Sequence, residues 1–517
     1  GMFAFAFLDV ETGEWILARD HFGIKPLYYT EALNGQILFA SEIKALLAHP
    51  QVQAAVNPVG LNQYHTFQFC LNGGTLFKGI HKLDPGHALL GTGGEIRRDI
   101  CYWDADFSVD EHHTEKWFAE ELARVLNDSV RLQLRSDVPL GTYLSGGMDS
   151  TVVTCLAAEH YPGQLQSFTG RFAESASYDE SKYAEIAANQ ARATLNEVIP
   201  SAEDFVKYLP DIIHALDEPV AGPGAFPQFM VSRMASEKVK VILGGQGGDE
   251  IFGGYARYLV GYLEQALKGA VYETQEEGRH LVNRASIILN LPLLREYVPM
   301  MRDFWGSGLF EDMDARYFRL IDRSPDLFSL LTPDALREYD REQVFGEFQC
   351  IFNHPDTHSY INKMTHFDFK TLLPALLQVE DRMSMVVSLE SRVPILDKRV
   401  MEIVASAPPQ LKFKGGETKA LLKRAIGYQI PQPILERRDK MGFPVPLMEW
   451  MKKGVVRDYV HDVLLSRASR ERGIFRPEAV EKLAGNPGVG CRQLWGVLSL
   501  ELWHQIFVDD GGTAFAS

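Results

Sequence analysis

The chain contains the segment Thr142-Tyr143-Leu144-Ser145-Gly146-Gly147-Met148-Asp149-Ser150, which joins a short apolar run to a helical pattern through two glycines. The helical pattern covers residues 151–159. Strand-like runs follow at 166–172 and 239–243, with a helical pattern near 182–193 between them. Strands that alternate with helices indicate βαβ units, which place the strands parallel in one sheet. The sequence therefore predicts an α/β domain.

The first hundred residues have a different rhythm. Turn signals such as Thr12-Gly13 and Asp84-Pro85-Gly86 separate short apolar runs, which is typical of antiparallel strands. The runs lie at 3–8, 15–18, 38–40 and 87–90. The sequence predicts a β-rich layer here, so the whole chain combines an α+β part with an α/β part.

A polar stretch at 108–115 precedes a helical pattern at 117–134, and we place a domain boundary there. We expect one domain over residues 1–110 and a second over residues 115–517. From about Arg257 onward, helical periodicity dominates the second domain.

Composition limits the function classes. The chain has 517 residues, and its 52 Lys and Arg against 68 Asp and Glu give a net charge of −16, which argues against nucleic acid or an anionic membrane as the main partner. The five cysteines form no CxxC pair, so neither a disulfide framework nor a zinc site is indicated, and a cytoplasmic location fits. No run of about 18 apolar residues predicts a transmembrane helix.

Residues 145–150, which we call the first loop, carry the strongest chemical signal. Their glycines let the backbone approach an anion, the following helix offers free N–H groups, and Ser145 and Ser150 add hydroxyl donors. The lysine-containing GxxxxGK[ST] pattern is absent. The loop predicts phosphate binding, and the competing interpretation is a glycine turn that only caps a helix.

Residues 244–255, which we call the second loop, follow the predicted strand at 239–243 and contain Gly244, Gly245, Gly247 and Gly248. Ligands bind at the carboxyl ends of strands in open α/β sheets. Asp249 of this loop and Asp149 of the first loop are therefore expected to face one crevice, where two carboxylates beside a triphosphate suit Mg²⁺. Taken alone, the second loop could be a surface connection.

Together, these loops and other motifs identify a family. The chain resembles the glutamine-hydrolysing asparagine synthetases over their whole synthetase domain and the later part of their glutaminase domain. The matching segments run in order along the chain: Gly1-Met2-Phe3-Ala4-Phe5, residues 18–29, residues 39–44, residues 145–150, Gly247-Gly248-Asp249-Glu250, Asp381-Arg382-Met383-Ser384-Met385, Glu390-Ser391-Arg392-Val393-Pro394 and Lys440-Met441-Gly442-Phe443.

The resemblance implies a two-step reaction with ATP and Mg²⁺. The side-chain carboxylate of aspartate attacks the α-phosphorus, pyrophosphate leaves, and ammonia then attacks the β-aspartyl adenylate. Asp149 and Asp249 would hold the metal ion, and Lys440 would meet the leaving pyrophosphate as a catalytic residue. Nucleotide and pyrophosphate binding would fall to Leu144, Ser145, Gly146, Gly147, Asp149, Ser150, Gly170, Gly244, Gly245, Arg382 and Lys419.

Two further positions carry catalytic expectations. Glu390 matches a glutamate that lines the acyl-substrate side in the family, although a structural ion pair with Arg392 or Arg382 is nearly as good an interpretation. Gln246 stands where enterobacterial-type members have a glutamate. Because an amide can orient a substrate but cannot act as a general base, aspartate becomes less certain as the acceptor. The alternatives are an amidotransferase acting on another carboxylate and a nucleotide-binding pseudoenzyme subunit.

The glutaminase half is expected to be incomplete in this chain. The N-terminal cysteine, the arginine and the Asn-Gly pair of the family's glutaminase all align before Gly1, so the chain is expected to use ammonia rather than glutamine. We also expect Phe3, Phe5 and Phe7 to be exposed, which would favour a covering partner or a homo-oligomer.

Overall fold

The computed structural model describes residues 1–32, 35–272, 298–437, 445–485 and 491–510. Its strands form two antiparallel sheets and one parallel sheet. The strands are β1 (Ala4–Leu8), β2 (Glu14–Arg19), β3 (Tyr28–Glu31), β4 (Ile37–Ala40), β5 (Ile80–Lys82), β6 (His87–Thr92), β7 (Glu95–Cys101), β8 (Leu140–Tyr143), β9 (Gln166–Gly170), β10 (Thr194–Val198), β11 (Val241–Leu243) and β12 (Glu390–Arg392).

Helices surround the parallel sheet and make up most of the chain after it. Up to residue 272 they are α1 (Ile43–Leu47), α2 (Pro58–Phe67), α3 (Glu115–Gln133), α4 (Met148–His160), α5 (Ser181–Ala191), α6 (Ala202–Leu216), α7 (Ala225–Ser236), α8 (Gly248–Phe252) and α9 (Ala256–Tyr272). The longer helices among the later described residues are Val298–Trp305, Met313–Ile321, Arg341–Phe352, Tyr360–Lys370, Leu372–Met385, Lys398–Ser406, Ala420–Ile426, Val455–Leu464, Pro477–Gly485 and Cys491–Trp503. Shorter helices lie at Ser324–Phe328, Pro333–Glu338, Pro409–Lys412, Gln432–Leu435, Leu447–Trp450 and Arg467–Arg472, and a π-helix follows at His504–Asp509.

The predicted fold class is confirmed. The N-terminal part has a sheet of order β1-β2-β6-β7 and a second of order β4-β3-β5, both antiparallel. The central sheet has the order β10-β9-β8-β11-β12, and every neighbouring pair in it is parallel. The crossovers that parallel pairing requires are supplied by helices, as the strand-helix alternation predicts.

The parallel sheet is covered on both faces, and its strand β11 (Val241–Leu243) is accordingly apolar at every position. In β11, Val241 and Leu243 face a cluster that includes Leu122 of α3 and Val152 of α4. Ile242 between them faces the opposite cluster, which includes residues of α7. Burial on both sides holds the carboxyl ends of the strands rigidly, and these ends carry the two glycine loops.

The N-terminal edge strand is apolar and partly exposed. Phe5, Phe7 and Leu8 of β1 have exposed fractions of 44%, 64% and 56%, whereas Phe3 is half-buried. β1 pairs with β2 on one side only. The expected homo-oligomer or covering partner stays a prediction. Among the described residues, no helix combines the length and the apolar character needed to cross a bilayer.

Candidate active site

The two glycine loops leave the sheet side by side. β8 and β11 are neighbours in register, with Leu140 opposite Val241 and Thr142 opposite Leu243. Each strand runs directly into its loop, so the first and second loops begin at the same edge of the sheet. This adjacency is what the strand-end argument predicts for a ligand crevice.

The first loop is a tight turn that opens onto a helix N-terminus. Gly146 has φ +70°, and a Cβ there would lie 2.6 Å from the Tyr183 Cβ, so only glycine fits. The hydroxyls of Ser145 and Ser150 lie 3.1 Å apart across the turn, and the Gly147 N–H donates to the Ser145 hydroxyl at 3.3 Å. α4 begins immediately afterwards, which presents its first N–H groups to the same space.

The second loop packs directly on the first, because its glycines have no side chains. A Cβ on Gly245 would lie 2.7 Å from the Ser150 amide nitrogen. A Cβ on Gly248 would lie 2.4 Å from the Cγ of Asp149. The cluster of glycines therefore serves close contact between the loops, and the interpretation of the second loop as a plain surface connection loses its basis.

The loops bring two carboxylates onto one cation. Asp149 lies in the first turn of α4 and Asp249 in the first turn of α8. The Lys419 ammonium lies 2.5 Å from Asp149 Oδ2 and 2.5 Å from Asp249 Oδ1. Lys419 is buried, although it was predicted only to lie near the nucleotide. The two predicted metal ligands thus converge on a single positive charge.

This donor set fits Mg²⁺. The Lys419 ammonium occupies the point that two carboxylate oxygens share, which is where a metal ion would bind. Mg²⁺ takes one or two protein carboxylates, while phosphate oxygens and water complete its shell. No group of three or more His, Cys, Asp or Glu side chains arranged for a metal occurs in the described part of the chain. Asp149 and Asp249 would therefore hold the ion together with ligand oxygens.

A buried carboxylate that the sequence analysis missed lies beside the second loop. Glu380 belongs to the helix Leu372–Met385 and is 3% exposed. Its Oε1 accepts from the Ser391 hydroxyl at 2.6 Å, and its Oε2 accepts from the side-chain amides of Gln228 and Gln246 at 3.1 and 3.3 Å. A Cβ on Gly244 would lie 2.9 Å from Glu380 Oε1.

The protonation of Glu380 is set by this environment. Burial raises the pKa of Glu380 above its ordinary value, while the hydrogen bonds from Ser391 and Gln246 partly offset that rise. A carboxylate with a raised pKa is better able to take up a proton near neutral pH. One signal in the sequence pointed to it, since Glu380 immediately precedes the motif that begins at Asp381.

Glu390 and Arg382 lie in other surroundings. The Glu390 carboxylate accepts from Arg392 Nε at 2.7 Å and is 45% exposed, which is the ion pair considered as its alternative. Arg382 is buried, where it contacts Asp217 at 3.0 Å and Glu42 at 3.4 Å. These contacts join Arg382 to the end of α6 and to the N-terminal part of the chain rather than to the glycine loops.

The remaining predicted site residues lie at the ends of strands, except for Lys440. The N–H of Leu144 donates to the Phe168 carbonyl at 2.8 Å, and Gly170 ends β9, next to β8 in the sheet. Gly244 follows β11. These three positions share one edge with the first loop, and their role in adenosine binding stays a prediction. Lys440 lies outside the described residues, so its role stays a prediction.

Comparison with known proteins gives two family matches and several relatives. Residues 121–505 match the asparagine synthase family, and residues 1–103 match the glutamine amidotransferase domain family. Asparagine synthetase [glutamine-hydrolyzing] 1 of Bacillus subtilis is 31% identical over 98% of this chain and 78% of its own length. Amidase chyE of Penicillium rubens is 26% identical over 80% of this chain and 64% of its own length.

Proposed function

Because this chain belongs to the glutamine-hydrolysing asparagine synthetase family, we propose that it adenylates the side-chain carboxylate of aspartate and transfers ammonia to it, forming asparagine, AMP and pyrophosphate. Membership of the family indicates that the chain is an ATP-dependent carbon–nitrogen ligase. The choice of aspartate and the assignment of individual residues are the parts that we propose.

The observation that carries the proposal is that Asp149 of the first loop and Asp249 of the second loop both contact the Lys419 ammonium. Adenylation places charge on departing pyrophosphate, and that charge needs preorganised donors. The N–H groups at the start of α4 and the hydroxyls of Ser145 and Ser150 supply such donors. Mg²⁺, when bound, would act as a Lewis acid and offset the negative charge of the phosphates.

Two lysines would meet the pyrophosphate as it leaves. The Lys419 ammonium already lies beside both carboxylates. We assign Lys440 to the leaving pyrophosphate as well, on the motif that it shares with the family. A lysine ammonium is a flexible point charge, so it suits a group whose charge and position change during the reaction.

The second step forms a C–N bond and breaks the bond between the acyl carbon and the AMP oxygen. The attacking ammonia must also lose a proton. Gln246 cannot accept it, but Gln246 donates to Glu380 Oε2, which is an acceptor at the same edge of the sheet. We assign the proton to Glu380, with Gln246 and Gln228 orienting that carboxylate.

A second acceptor stays in consideration because of one feature, the amide at Gln246. Relatives of this chain include proteins named amidases as well as asparagine synthetases. The alternative is therefore amide synthesis on another carboxylic acid. The presence of Asp149 and Asp249 argues against a pseudoenzyme.

Exchange of labelled pyrophosphate into ATP tests the proposal. We expect exchange that depends on aspartate and Mg²⁺, and a loss of at least roughly 10²-fold in Asp149→Asn and in Asp249→Asn, since each removes a metal ligand. Asp128→Asn is the matched control, because Asp128 lies on α3, where it pairs with Arg131 of the same helix and with Arg399. Exchange that survives both site substitutions would reject the metal assignment, and exchange with other acids but not with aspartate would reject the acceptor.

A further inference from the structure

Lys419 is held in its position by unusual backbone geometry. It has φ +56° and ψ +31°, the left-handed region that residues other than glycine seldom adopt, and it directly precedes the helix Ala420–Ile426. Its carbonyl accepts the Lys423 N–H at 3.0 Å, which starts that helix. Strained backbone of this kind persists where the surrounding structure holds it in place, and here it directs a lysine at the two carboxylates.

The second loop leaves room for the lysine stem. A Cβ on Gly254 would lie 2.3 Å from Lys419 Cε and 2.0 Å from Asp249 Oδ1. Any residue larger than glycine would push the stem or the carboxylate away. The site is therefore shaped around an extended lysine, whose ammonium reaches both Asp149 and Asp249 at 2.5 Å.

The ammonium and a divalent ion compete for the same oxygens. Lys419 contacts Asp149 Oδ2 and Asp249 Oδ1, which are the oxygens at which the two carboxylates converge. In a crevice where Lys419 is 6% exposed, two cations close together repel strongly. A metal ion that binds these two oxygens would have to displace the ammonium, and the phosphates of a nucleotide would offer the ammonium a new negative partner.

We propose that Lys419 is an internal counter-ion that closes the Asp149–Asp249 site to free divalent metal, so that metal and nucleotide bind together. This inference rests on the proposed function, because it takes the two carboxylates as the metal ligands. It adds that metal alone binds weakly, that nucleotide phosphate displaces Lys419 from the carboxylates, and that the same lysine then faces the phosphates.

Manganese binding tests this inference without any turnover. Free Mn²⁺ is followed by electron paramagnetic resonance, first with Mn²⁺ alone and then with α,β-methylene-ATP, which cannot be adenylated onto an acid. After subtraction of the Mn²⁺ that the analogue binds without protein, we expect wild-type protein to bind Mn²⁺ weakly alone and more tightly with the nucleotide analogue. Lys419→Met keeps the stem and removes the charge, so it should bind Mn²⁺ alone roughly tenfold more tightly or better.

Two control variants separate charge from general disturbance. Lys419→Arg keeps the charge and should still exclude Mn²⁺. Lys423→Met removes a lysine one turn later, where it pairs with Glu417 at 2.9 Å, and should leave Mn²⁺ binding as in the wild type. If Lys419→Met fails to fold, Lys419→Gln replaces it, and thermal melts of all variants check the fold.

The outcomes distinguish this inference from the proposed function. Wild-type protein that binds Mn²⁺ equally well with and without the analogue, or Lys419→Met that gains no affinity, would overturn the counter-ion inference. In the Lys419→Met background, Asp149→Asn should abolish the gained Mn²⁺ site. If that gained site survives both Asp149→Asn and Asp249→Asn, the metal ligands of the proposed function are wrong as well.

Discussion

Gln246 and Glu380 contact each other through a hydrogen bond from the amide to the carboxylate, and we propose that Glu380 accepts the proton of the attacking ammonia. Gln246 lies in the second loop and can only donate to or accept from a partner, whereas Glu380 comes from a distant helix and can bind a proton. The sequence revealed the amide but not its partner. Its place before the Asp381 motif is a weak signal, and the role of Glu380 becomes clear once Gln228, Ser391 and Gln246 are seen around it, since these residues lie far apart in the chain.

Glu380→Gln is predicted to separate the two chemical steps. Adenylation does not need this carboxylate, so aspartate-dependent pyrophosphate exchange should stay within about threefold of the wild type. Amide formation from ammonium should fall roughly 10²- to 10⁴-fold, the range for loss of a general base. Asp381→Asn is the control, since Asp381 is adjacent in sequence but pairs with Lys25 at 3.0 Å. Equal loss in both reactions would mean that Glu380 is structural.

The pH profile gives a second readout of the same residue. Glu380 accepts a proton only when it is ionised, and burial raises its pKa. Wild-type amide formation should therefore decline on the acidic side at a higher pH than an ordinary glutamate would give, because protonated Glu380 cannot take the proton from ammonia. With rates expressed per concentration of unprotonated ammonia, this acidic limb should be absent from the residual activity of Glu380→Gln.

At the scale of elements, the helix Leu372–Met385 connects the site to the N-terminal sheets through three consecutive residues. Glu380 faces the second loop, Asp381 reaches Lys25 of the N-terminal part, and Arg382 reaches Asp217. Asp217 also accepts the backbone N–H of Ile43 at 2.9 Å, at the start of α1. One helix thus positions a candidate catalytic group and secures the contact between the two halves of the chain.

Asp217→Asn is predicted to destabilise the protein by about 3–5 kcal/mol, because it leaves the buried Arg382 guanidinium without its closest carboxylate. Glu42→Gln is the matched control. Glu42 also pairs with Arg382, but its side chain is 41% exposed, so its loss should cost less than about 1 kcal/mol. Chemical denaturation of both variants measures the difference. A similarly small loss of unfolding free energy in both variants would show that the buried Arg382–Asp217 pair does not stabilise the protein.

The elements that periodicity predicts are those with one clear apolar face or two buried faces. β2, β6 and α4 were found within a few residues of their observed ends. The sequence analysis missed β7, because Glu95–Cys101 is an edge strand with mostly exposed, polar residues. It also missed β5, whose three residues are too few to show an alternation. Strands of both kinds form by pairing with a neighbour, which local sequence does not record.

At the scale of the whole molecule, a parallel sheet fixes the place of the chemistry and long-range contacts complete it. The crevice between the glycine loops followed from the strand-end rule applied to the sequence. The contact of Lys419 with Asp149 and Asp249 did not follow from the sequence. Lys419 lies 270 residues beyond Asp149, and no local pattern encodes a contact over that separation. The ion pairs at Arg382 likewise depend on the packed N-terminal sheets.

In the proposed reaction, the crevice joins a carboxylate to the α-phosphorus of ATP. Transfer of oxygen-18 from aspartate labelled in its side-chain carboxylate tests this most directly, with ammonium chloride as the nitrogen source and mass spectrometry of the nucleotide product. Attack by the carboxylate followed by displacement with ammonia predicts that each AMP formed carries one labelled oxygen. Unlabelled AMP, or ADP with the label in inorganic phosphate, would contradict the account.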